Sequence, residues 1–341
     1  MSNCICQALQ KVVECIDLSE QESFEVMNNM MDGAATPSQI GAFITALRMK
    51  GETIEEITGM ARSMREHAHS ISPTSPNLVD TCGTGGDKSG TFNISTTAAL
   101  IAAGAGVAIA KHGNRSVTSR TGSADVLEIL GVKLDISPQN AEACINEVGI
   151  GFMFAPIFHG AMKHAIGPRK EICIRTVFNI LGPLTNPANA SGHLLGVFSE
   201  KLVDTMALVL KNLGIERAFI VHGMDGLDEI SITGDTVAAI LKDGKITKER
   251  YAPEMFGFER VGLEAIKGGD PKENAEILIK ILKNEHAGPY ADVSILNAAA
   301  AIVAGNKAKD LKDGIILARK AISDGSALKK LQALIEFTQK C

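Results

Sequence analysis

The most informative stretch of this chain is a glycine-rich loop: Asp80-Thr81-Cys82-Gly83-Thr84-Gly85-Gly86-Asp87. It follows a short apolar run, Leu78 and Val79, and precedes a segment that predicts a helix, Ile94 to Ala103. Glycine lets the backbone approach a ligand closely, and the free amides at a helix N-terminus attract anions. The order strand, glycine loop, helix therefore predicts a phosphate-binding cradle. A tight turn without a ligand is the alternative for such a loop on its own.

Two common nucleotide motifs are absent from this loop. No Gly-Lys-Ser/Thr follows it, as a Walker A motif requires, and the third glycine of the dinucleotide fingerprint is missing. We therefore expect a phosphorylated ligand that is bound in neither of these two ways.

Composition limits the classes of function. The chain has 341 residues, 45% of them hydrophobic, which is enough for two domains with a sizeable core. Its net charge is −5, it has no Trp and only 2 Tyr, and we find no basic block. Nucleic-acid sites rely on basic stripes and aromatic stacking platforms, so we expect no nucleic-acid partner.

Cysteine usage and hydropathy indicate the compartment. Scattered thiols without a Cys-x-x-Cys pair favour reduced cysteines over disulfides or a zinc site. The longest apolar run, Thr97 to Ala110, is interrupted by glycine and too short to cross a membrane. Acidic and polar residues soon after Cys6 are unlike a signal peptide. We expect a cytoplasmic protein with no membrane partner. The cysteines are Cys4, Cys6, Cys15, Cys82, Cys144, Cys173 and Cys341.

The periodicity divides the chain into a helical start and an α/β remainder. Ser19 with Glu22 and Thr53 with Glu56 form capping boxes, and the segment 70–77 is typical of a linker. Beyond it, short β-branched runs alternate with helical patterns, which predicts a mostly parallel central sheet flanked by helices on both faces. A hairpin and then three helices after Pro271 are expected to close the chain. The strand candidates are Val107–Ala110, Gly151–Phe154, Leu194–Phe198, Ala218–Val221, Val237–Leu241 and Ile246–Lys248.

A second polar loop follows the predicted strand Val107–Ala110: Lys111-His112-Gly113-Asn114-Arg115. Ligands of an open parallel sheet lie beyond the carboxyl ends of its strands, so this loop is expected near the glycine loop. Lys111 and Arg115 are candidates to neutralise phosphate, and Asn114 to orient a polar substrate. The alternative is an exposed polar turn. The hydroxyl-rich segment 116–125 follows, where Ser123 either extends the cradle or only caps the next helix.

A third cluster contains His159, His164 and Arg169. No further ligand stands at zinc-site spacing, so a metal site is not predicted there. A lone histidine is more often a structural hydrogen-bonding residue than a catalyst. Arg169 is the stronger candidate, because a planar guanidinium is the usual partner of a substrate carboxylate.

Adjacent carboxylates follow the turn 223–226: Asp228 and Glu229. Hard oxygen ligands beside a phosphate cradle favour magnesium, which binds few protein carboxylates and shares substrate oxygens. An ordinary acidic loop is the alternative. We find no Gly-x-Ser-x-Gly elbow, and Cys82 has no catalytic signature, so a covalent nucleophile is not expected.

Taken together, these stretches resemble the anthranilate phosphoribosyltransferase family. The resemblance covers nearly the whole chain, with its motifs in the family's order. It implies transfer of the phosphoribosyl group of 5-phospho-α-D-ribosyl 1-diphosphate (PRPP) to the amino group of anthranilate, in tryptophan biosynthesis. The motifs are Gly83-Thr84-Gly85-Gly86-Asp87, Asn93-Ile94-Ser95-Thr96, Lys111–Arg115, Gly122-Ser123-Ala124-Asp125, Arg175-Thr176-Val177-Phe178-Asn179, Leu181-Gly182-Pro183-Leu184 and Asp228-Glu229.

The resemblance also implies the site residues. Lys111 supplies electrostatic support, and no residue acts as a covalent nucleophile. Two Mg²⁺ ions per site are implied, one on Ser95 and Glu229 and the other on Asp228 and Glu229. Anthranilate is expected on Asn114 and Arg169, with Gly83, His112, Pro156 and His159 lining its path. PRPP is expected on Gly83, Gly86, Asp87, Thr91, Asn93, Ile94, Ser95, Thr96, Lys111, His112, Gly113, Asn114, Arg115, Ser119 and Ser123.

The domain organisation implied by the resemblance is a helical domain, 1–72, to which a segment of about 160–185 returns. The α/β PRPP-binding domain comprises 73–159 and 186–341, and a homodimer through the helical domain is implied. Gly160, Met162 and Cys173 depart from the family's usual residues on the anthranilate path. The alternatives are a pyrimidine nucleoside phosphorylase and a non-catalytic nucleic-acid-binding relative.

Overall fold

The computed structural model describes residues 4–116 and 121–341. The helices are α1 (Cys4–Val13), α2 (Glu20–Met31), α3 (Pro37–Lys50), α4 (Ile54–Glu66), α5 (Ile94–Gly104), α6 (Ser123–Ile129), α7 (Pro138–Val148), α8 (Ala155–Phe158), α9 (Lys163–Glu171), α10 (Phe178–Leu181), α11 (Lys201–Asn212), α12 (Pro271–Leu282), α13 (Pro289–Ala304), α14 (Leu311–Ser323) and α15 (Ser326–Gln339). The strands are β1 (Leu78–Asp80), β2 (Ala108–Gly113), β3 (Ile150–Phe154), β4 (Gly192–Gly196), β5 (Arg217–Gly223), β6 (Thr236–Lys242) and β7 (Lys245–Tyr251).

Capping residues set the start of the N-terminal helices. Ser19, Thr36 and Thr53 each accept a hydrogen bond from the backbone three residues on, and the residue there returns the bond. Each such cap stabilises a helix by about 1 kcal/mol, because it satisfies amides that have no partner inside the helix. The capping boxes predicted at Ser19 and Thr53 are confirmed.

The strands form one sheet in the order β3-β2-β1-β4-β5-β6-β7. The strands from β3 to β5 in this order are parallel, and β6 and β7 add an antiparallel hairpin at one edge. The predicted fold class is confirmed. The chain runs from β1 outward to β3 and then returns to the other side of β1 with β4. Such a switch point is where open sheets bind ligands, and the glycine loop leaves β1 there.

Apolar clusters cover the two faces of the sheet. One of them contains most of α5 and α13 together with residues of β2, β3 and β5. The other joins the helices α1–α4 to α9, α10 and α11, and to residues of β4 and β5 such as Leu195 and Ile220. Packing of α9 on α2 and α3 places the segment after β3 against the N-terminal helices. The N-terminal helices are thus attached to the sheet by a shared core.

The chain end differs from the expectation of three helices after Pro271. In the part of the chain that the structure describes, four helices, α12 to α15, follow. Gly325 separates the last two with φ +75°, a left-handed conformation that favours glycine. Only Asp324 and Gly325 stand between these two helices, so little in the sequence marks the boundary. No helix among the described residues is long and apolar enough to span a membrane.

Candidate active site

The glycine loop is fixed by contacts to the ends of other strands. The Thr84 N–H donates to the Gly196 carbonyl at the end of β4 (2.8 Å). The Gly85 N–H donates to Asp228 Oδ2 (2.7 Å). Gly85 and Gly86 have φ +65° and +78°, which a side chain would strain. The sequence therefore bends the loop so that it meets the acidic loop after β5.

Gly83 shows how closely the two loops approach. A Cβ added there would lie 2.7 Å from Asp228 Oδ2, closer than such atoms come in proteins. Gly83 and Asp228, which are 145 positions apart, are brought together as the sequence predicted. The absent side chain at Gly83 is what leaves room for this carboxylate.

A cluster of carboxylates lies beside the glycine loop: Asp87, Asp228 and Glu229. Burial, and then the Asp87 carboxylate, raises the pKa of Asp228 to about 7. Burial, and then Asp228, raises the pKa of Glu229 well above its usual value, while Lys111 and the Ser95 backbone N–H oppose that rise. Burial and repulsion between like charges both disfavour ionisation of these carboxylates. A positive charge nearby would therefore stabilise their ionised form.

Lys111 is buried at the end of β2. Its Nζ donates to the Thr81 carbonyl (2.7 Å) and to Thr81 Oγ1 (3.1 Å). Asp80, fully buried, accepts from Asn186 Nδ2 (2.7 Å) and from the His112 N–H (3.2 Å). Burial raises the pKa of Asp80 to about 6, and the Lys111 charge opposes this. This network holds the ends of β1 and β2 side by side.

Two histidine rings lie in contact near the same strand ends, with their planes tilted by 52°. The rings of His112 and His159 lie 5.0 Å apart between centroids, and both side chains are buried. Burial lowers the pKa of His112 to about 3, with a further contribution from His159, and that of His159 to about 4. Both imidazoles are therefore neutral near pH 7 and form an aromatic wall of low charge.

Arg169 lies on α9, in a different electrostatic setting. Its guanidinium is stacked over the Phe178 ring, 4.8 Å from the centroid, and burial lowers its pKa. Within residues 4–116 and 121–341, it forms no ion pair with a carboxylate. A partly buried cation without a carboxylate partner is suited to an anionic ligand.

Arg115 has acidic partners of its own. Its guanidinium forms a two-bond pair with Glu128 (2.7 and 2.8 Å) and contacts Asp125 (3.1 Å), both on α6. Its charge is therefore already compensated. Asn114 is exposed, and its Oδ1 accepts from the Arg115 N–H (2.8 Å).

The remaining predicted residues surround the two loops. Asn93 Oδ1 accepts from Asn274 Nδ2 (3.0 Å) at the start of α5, and Thr91 bridges to Lys267. Ser123 begins α6, and its hydroxyl donates to the Asn114 carbonyl (3.4 Å). Ser119 lies outside the described residues. The other predicted residues lie on β2 (Gly113), on α5 (Ile94, Ser95, Thr96) and on α8 (Pro156).

Magnesium fits this donor set. Asp228 and Glu229 offer hard oxygen atoms, and Ser95 contributes a hydroxyl at the start of α5. In the described ranges, no three or more His, Cys, Asp or Glu side chains converge as a metal site. Few protein ligands beside a phosphate cradle match Mg²⁺, which keeps waters and takes substrate oxygens. Burial and neighbouring carboxylates raise the pKa of Asp228 and of Glu229, and a bound divalent cation would oppose that rise.

Sequence reasoning missed some residues that shape the site. The sequence predicts no role for Asp80 or Asn186. Arg175 Nη2 donates to the Gly86 carbonyl, and the Phe198 N–H donates to Thr84 Oγ1. Asp80 has a local signal, as an acidic residue at the end of an apolar strand, and Arg175 stands in a motif of the resemblance; Asn186 and Phe198 act across long sequence separations.

Comparisons with known proteins identify the family. Residues 7–68 match the model described as "Glycosyl transferase family, helical bundle domain", and residues 75–328 match "Glycosyl transferase family, a/b domain". An anthranilate phosphoribosyltransferase of Acetivibrio thermocellus is 53% identical, over 97% of this chain and 96% of the relative. The chain belongs to the anthranilate phosphoribosyltransferase family. An anthranilate phosphoribosyltransferase of Desulfosudis oleivorans is also 53% identical, over 98% of each chain.

Solved structures of anthranilate phosphoribosyltransferases share the architecture. The Thermus thermophilus enzyme superposes with a TM-score of 0.93 at 44% identity, covering 97% of this chain and 99% of that one. The Saccharomyces cerevisiae enzyme, in complex with PRPP and Mg, has a TM-score of 0.91 at 29% identity, covering 100% and 99%. The resemblance inferred from the motifs is confirmed.

Proposed function

We propose that this chain transfers the phosphoribosyl group of PRPP to the amino group of anthranilate, giving N-(5-phosphoribosyl)anthranilate and pyrophosphate in tryptophan biosynthesis. The observation that carries this proposal is the contact of the glycine loop with the acidic loop, Gly85 N–H to Asp228. This contact brings backbone amides of the glycine loop and the carboxylates after β5 together at the carboxyl ends of the strands, in a chain that belongs to the family. A diphosphate with bound magnesium is a ligand that needs both.

PRPP is proposed to lie along the glycine loop and the start of α5. Loop amides and the Lys111 ammonium would stabilise charge on the diphosphate. The Asp87 carboxylate would repel phosphate, so a ribose hydroxyl or a magnesium-bound water is its more suitable partner. The residues proposed for PRPP are those given in the sequence analysis, with Arg115 the one whose charge has other partners.

Two Mg²⁺ ions are proposed, one held by Ser95 and Glu229 and the other by Asp228 and Glu229. Bound magnesium would supply positive charge that stabilises the leaving pyrophosphate. Asp228 and Glu229 would hold the ions next to the glycine loop. Lys111, buried and bonded to Thr81, supplies a fixed positive charge from the other side.

Anthranilate is proposed to bind through Arg169 and Asn114. The guanidinium would take the carboxylate, and Gly83, His112, Pro156 and His159 would line the path. The neutral His112–His159 pair offers an aromatic surface that does not compete for the carboxylate charge. The departures at Gly160, Met162 and Cys173 bear on this path and not on the reaction.

Positioning is then sufficient for the chemistry. The aniline nitrogen is nucleophilic as it stands, so the site needs orientation rather than a strong base. As the C1–oxygen bond of PRPP breaks, positive charge grows on the ribose and negative charge on the leaving group. Attack from the opposite face inverts C1 from α to β. Closure of the cleft would exclude water and prevent hydrolysis of PRPP.

Product analysis tests the proposed function. Purified chain incubated with anthranilate, PRPP and Mg²⁺ should yield equal amounts of pyrophosphate and N-(5-phosphoribosyl)anthranilate by mass spectrometry. Uridine or thymidine with phosphate should give no free base. Phosphorolysis in place of transfer would assign the chain to the pyrimidine nucleoside phosphorylases, and a salt-dependent DNA shift without either reaction would indicate the nucleic-acid-binding alternative.

A homodimer is proposed to form through the helical domain, taken as 1–72 with the returning segment 160–185; the α/β domain is 73–159 and 186–341. The support is a groove between α3 and α9 with a cavity of about 490 Å³, lined by small and apolar residues such as Gly41 and Ala42. Met49 in this groove is 83% exposed. Light scattering should give a mass of two chains for the wild type and of one chain for Met49→Glu.

The cytoplasmic location stays a prediction.

A further inference from the structure

One arginine joins the glycine loop to the segment that carries Arg169. Arg175 lies between α9 and α10, and its Nη2 donates to the Gly86 carbonyl. The same guanidinium stacks over the Phe198 ring, 4.6 Å from the centroid, just after β4. Because one rigid, planar guanidinium makes both contacts, the Gly86 carbonyl and the Phe198 ring together fix its position.

The loop is shaped to receive this arginine. A Cβ on Gly86 would lie 2.8 Å from Arg175 Nη2, so the absent side chain at Gly86 makes room for the guanidinium. Phe198, the ring under Arg175, also donates its backbone N–H to Thr84 Oγ1 (3.1 Å). Arg175 and Phe198 therefore hold the loop at two points, Gly86 and Thr84.

We propose that Arg175 is a positioning residue for PRPP that holds the glycine loop in its binding conformation through Gly86 and Phe198. This inference rests on the proposed function. Because a peptide unit has its N–H opposite its C=O, holding the Gly86 carbonyl on Arg175 fixes the Asp87 N–H on the opposite side of the loop. Because Arg175 follows Arg169 on the same connection, the PRPP loop is tied to the proposed anthranilate segment.

Steady-state kinetics of Arg175→Met test this inference. Methionine keeps much of the side-chain length but removes both the donor to Gly86 and the guanidinium plane over Phe198. We expect the KM for PRPP to rise about tenfold, with less than about threefold change in the KM for anthranilate, because a charged hydrogen bond to the loop is lost. Arg175→Lys should recover part of the loss.

A matched arginine separates positioning from general stability. Arg62 on α4 likewise donates from a guanidinium to a backbone carbonyl, that of Asn212 (3.0 Å), outside the site. Arg62→Met should leave both KM values unchanged. An Arg175→Met protein with a lower melting temperature but unchanged KM for PRPP would show a merely structural role and overturn the inference.

A double-mutant cycle tests the route through Phe198. Phe198→Leu should raise the KM for PRPP by a smaller factor, and the double variant should be no worse than Arg175→Met. If the increases in KM of the two single variants multiplied in the double variant, Arg175 and Phe198 would act on the loop independently, which would contradict the inference. Failure of the wild-type chain to transfer phosphoribosyl would refute the function itself; an active wild type with an unaffected Arg175→Met refutes only this inference.

Discussion

The two sides of the candidate site carry opposite charges: carboxylates beside the glycine loop and an arginine on α9. Beside the glycine loop, burial and the neighbouring carboxylates raise the pKa of Asp228 and of Glu229. On α9, Arg169 is a partly buried cation without a carboxylate partner in the described part of the chain. The proposed function assigns magnesium diphosphate to the acidic side and the anthranilate carboxylate to the cationic side. Opposite charges on the two sides are suited to these two different ligands.

Removing the acidic side should have the largest effect. The double variant Asp228→Asn, Glu229→Gln removes the negative charge of the two carboxylates that would hold magnesium. Turnover should therefore fall on the order of 1000-fold. Magnesium titrations of activity measure this. Asp243→Asn, on the exposed hairpin, is the matched control and should behave as wild type. Retained magnesium-dependent turnover in the double variant would sink the metal assignment.

Removing the cationic side should cost less and affect one substrate. Arg169→Ala should lower kcat/KM for anthranilate roughly 100-fold, as expected for the loss of a charged hydrogen bond. The KM for PRPP should change little. Lys170→Ala, the exposed neighbour, is the control. Equal losses for both substrates would contradict the division into two sides.

Buried histidines at the strand ends make stability depend on pH. Burial lowers the pKa of His193, on β4 beside Asp80, to about 3, below its value of about 6.5 in the unfolded chain. The contribution of neutral, buried His193 to stability is therefore fully present above pH 6.5 and is lost as the pH falls from there toward 3, because the unfolded chain binds the proton first.

Urea unfolding measures this dependence. The free energy of unfolding of His193→Asn should be less pH-dependent than that of wild type by about 1.4 kcal/mol per pH unit near pH 5. Identical slopes for His193→Asn and wild type would mean that His193 titrates alike in the folded and unfolded chain.

Arg115 should have the smallest effect. Because Glu128 and Asp125 already compensate its charge, Arg115→Met should change the KM for PRPP by less than about threefold. Initial rates at varied PRPP measure this. A change as large as that expected for Arg175→Met would mean that Arg115 leaves its acidic partners to bind phosphate, and the acidic side would need revision.

Local signals in the sequence predicted one part of the site and missed the other. The glycine loop, the capping boxes and the polar residues after β2 are local patterns, and strand-end placement brings Gly83 to Asp228. Arg175 reaches Gly86 across 89 positions, and Asn186 reaches Asp80 across 106. Such contacts depend on how α9 and β4 pack, which no local pattern encodes.

The most direct test of the two-sided site follows the fluorescence of anthranilate in the presence of the purified chain. Fluorescence should fall only when PRPP and Mg²⁺ are both added, and Arg169→Ala should need far more anthranilate for the same rate. An unchanged signal with all components present, or a fall without magnesium, would contradict the account.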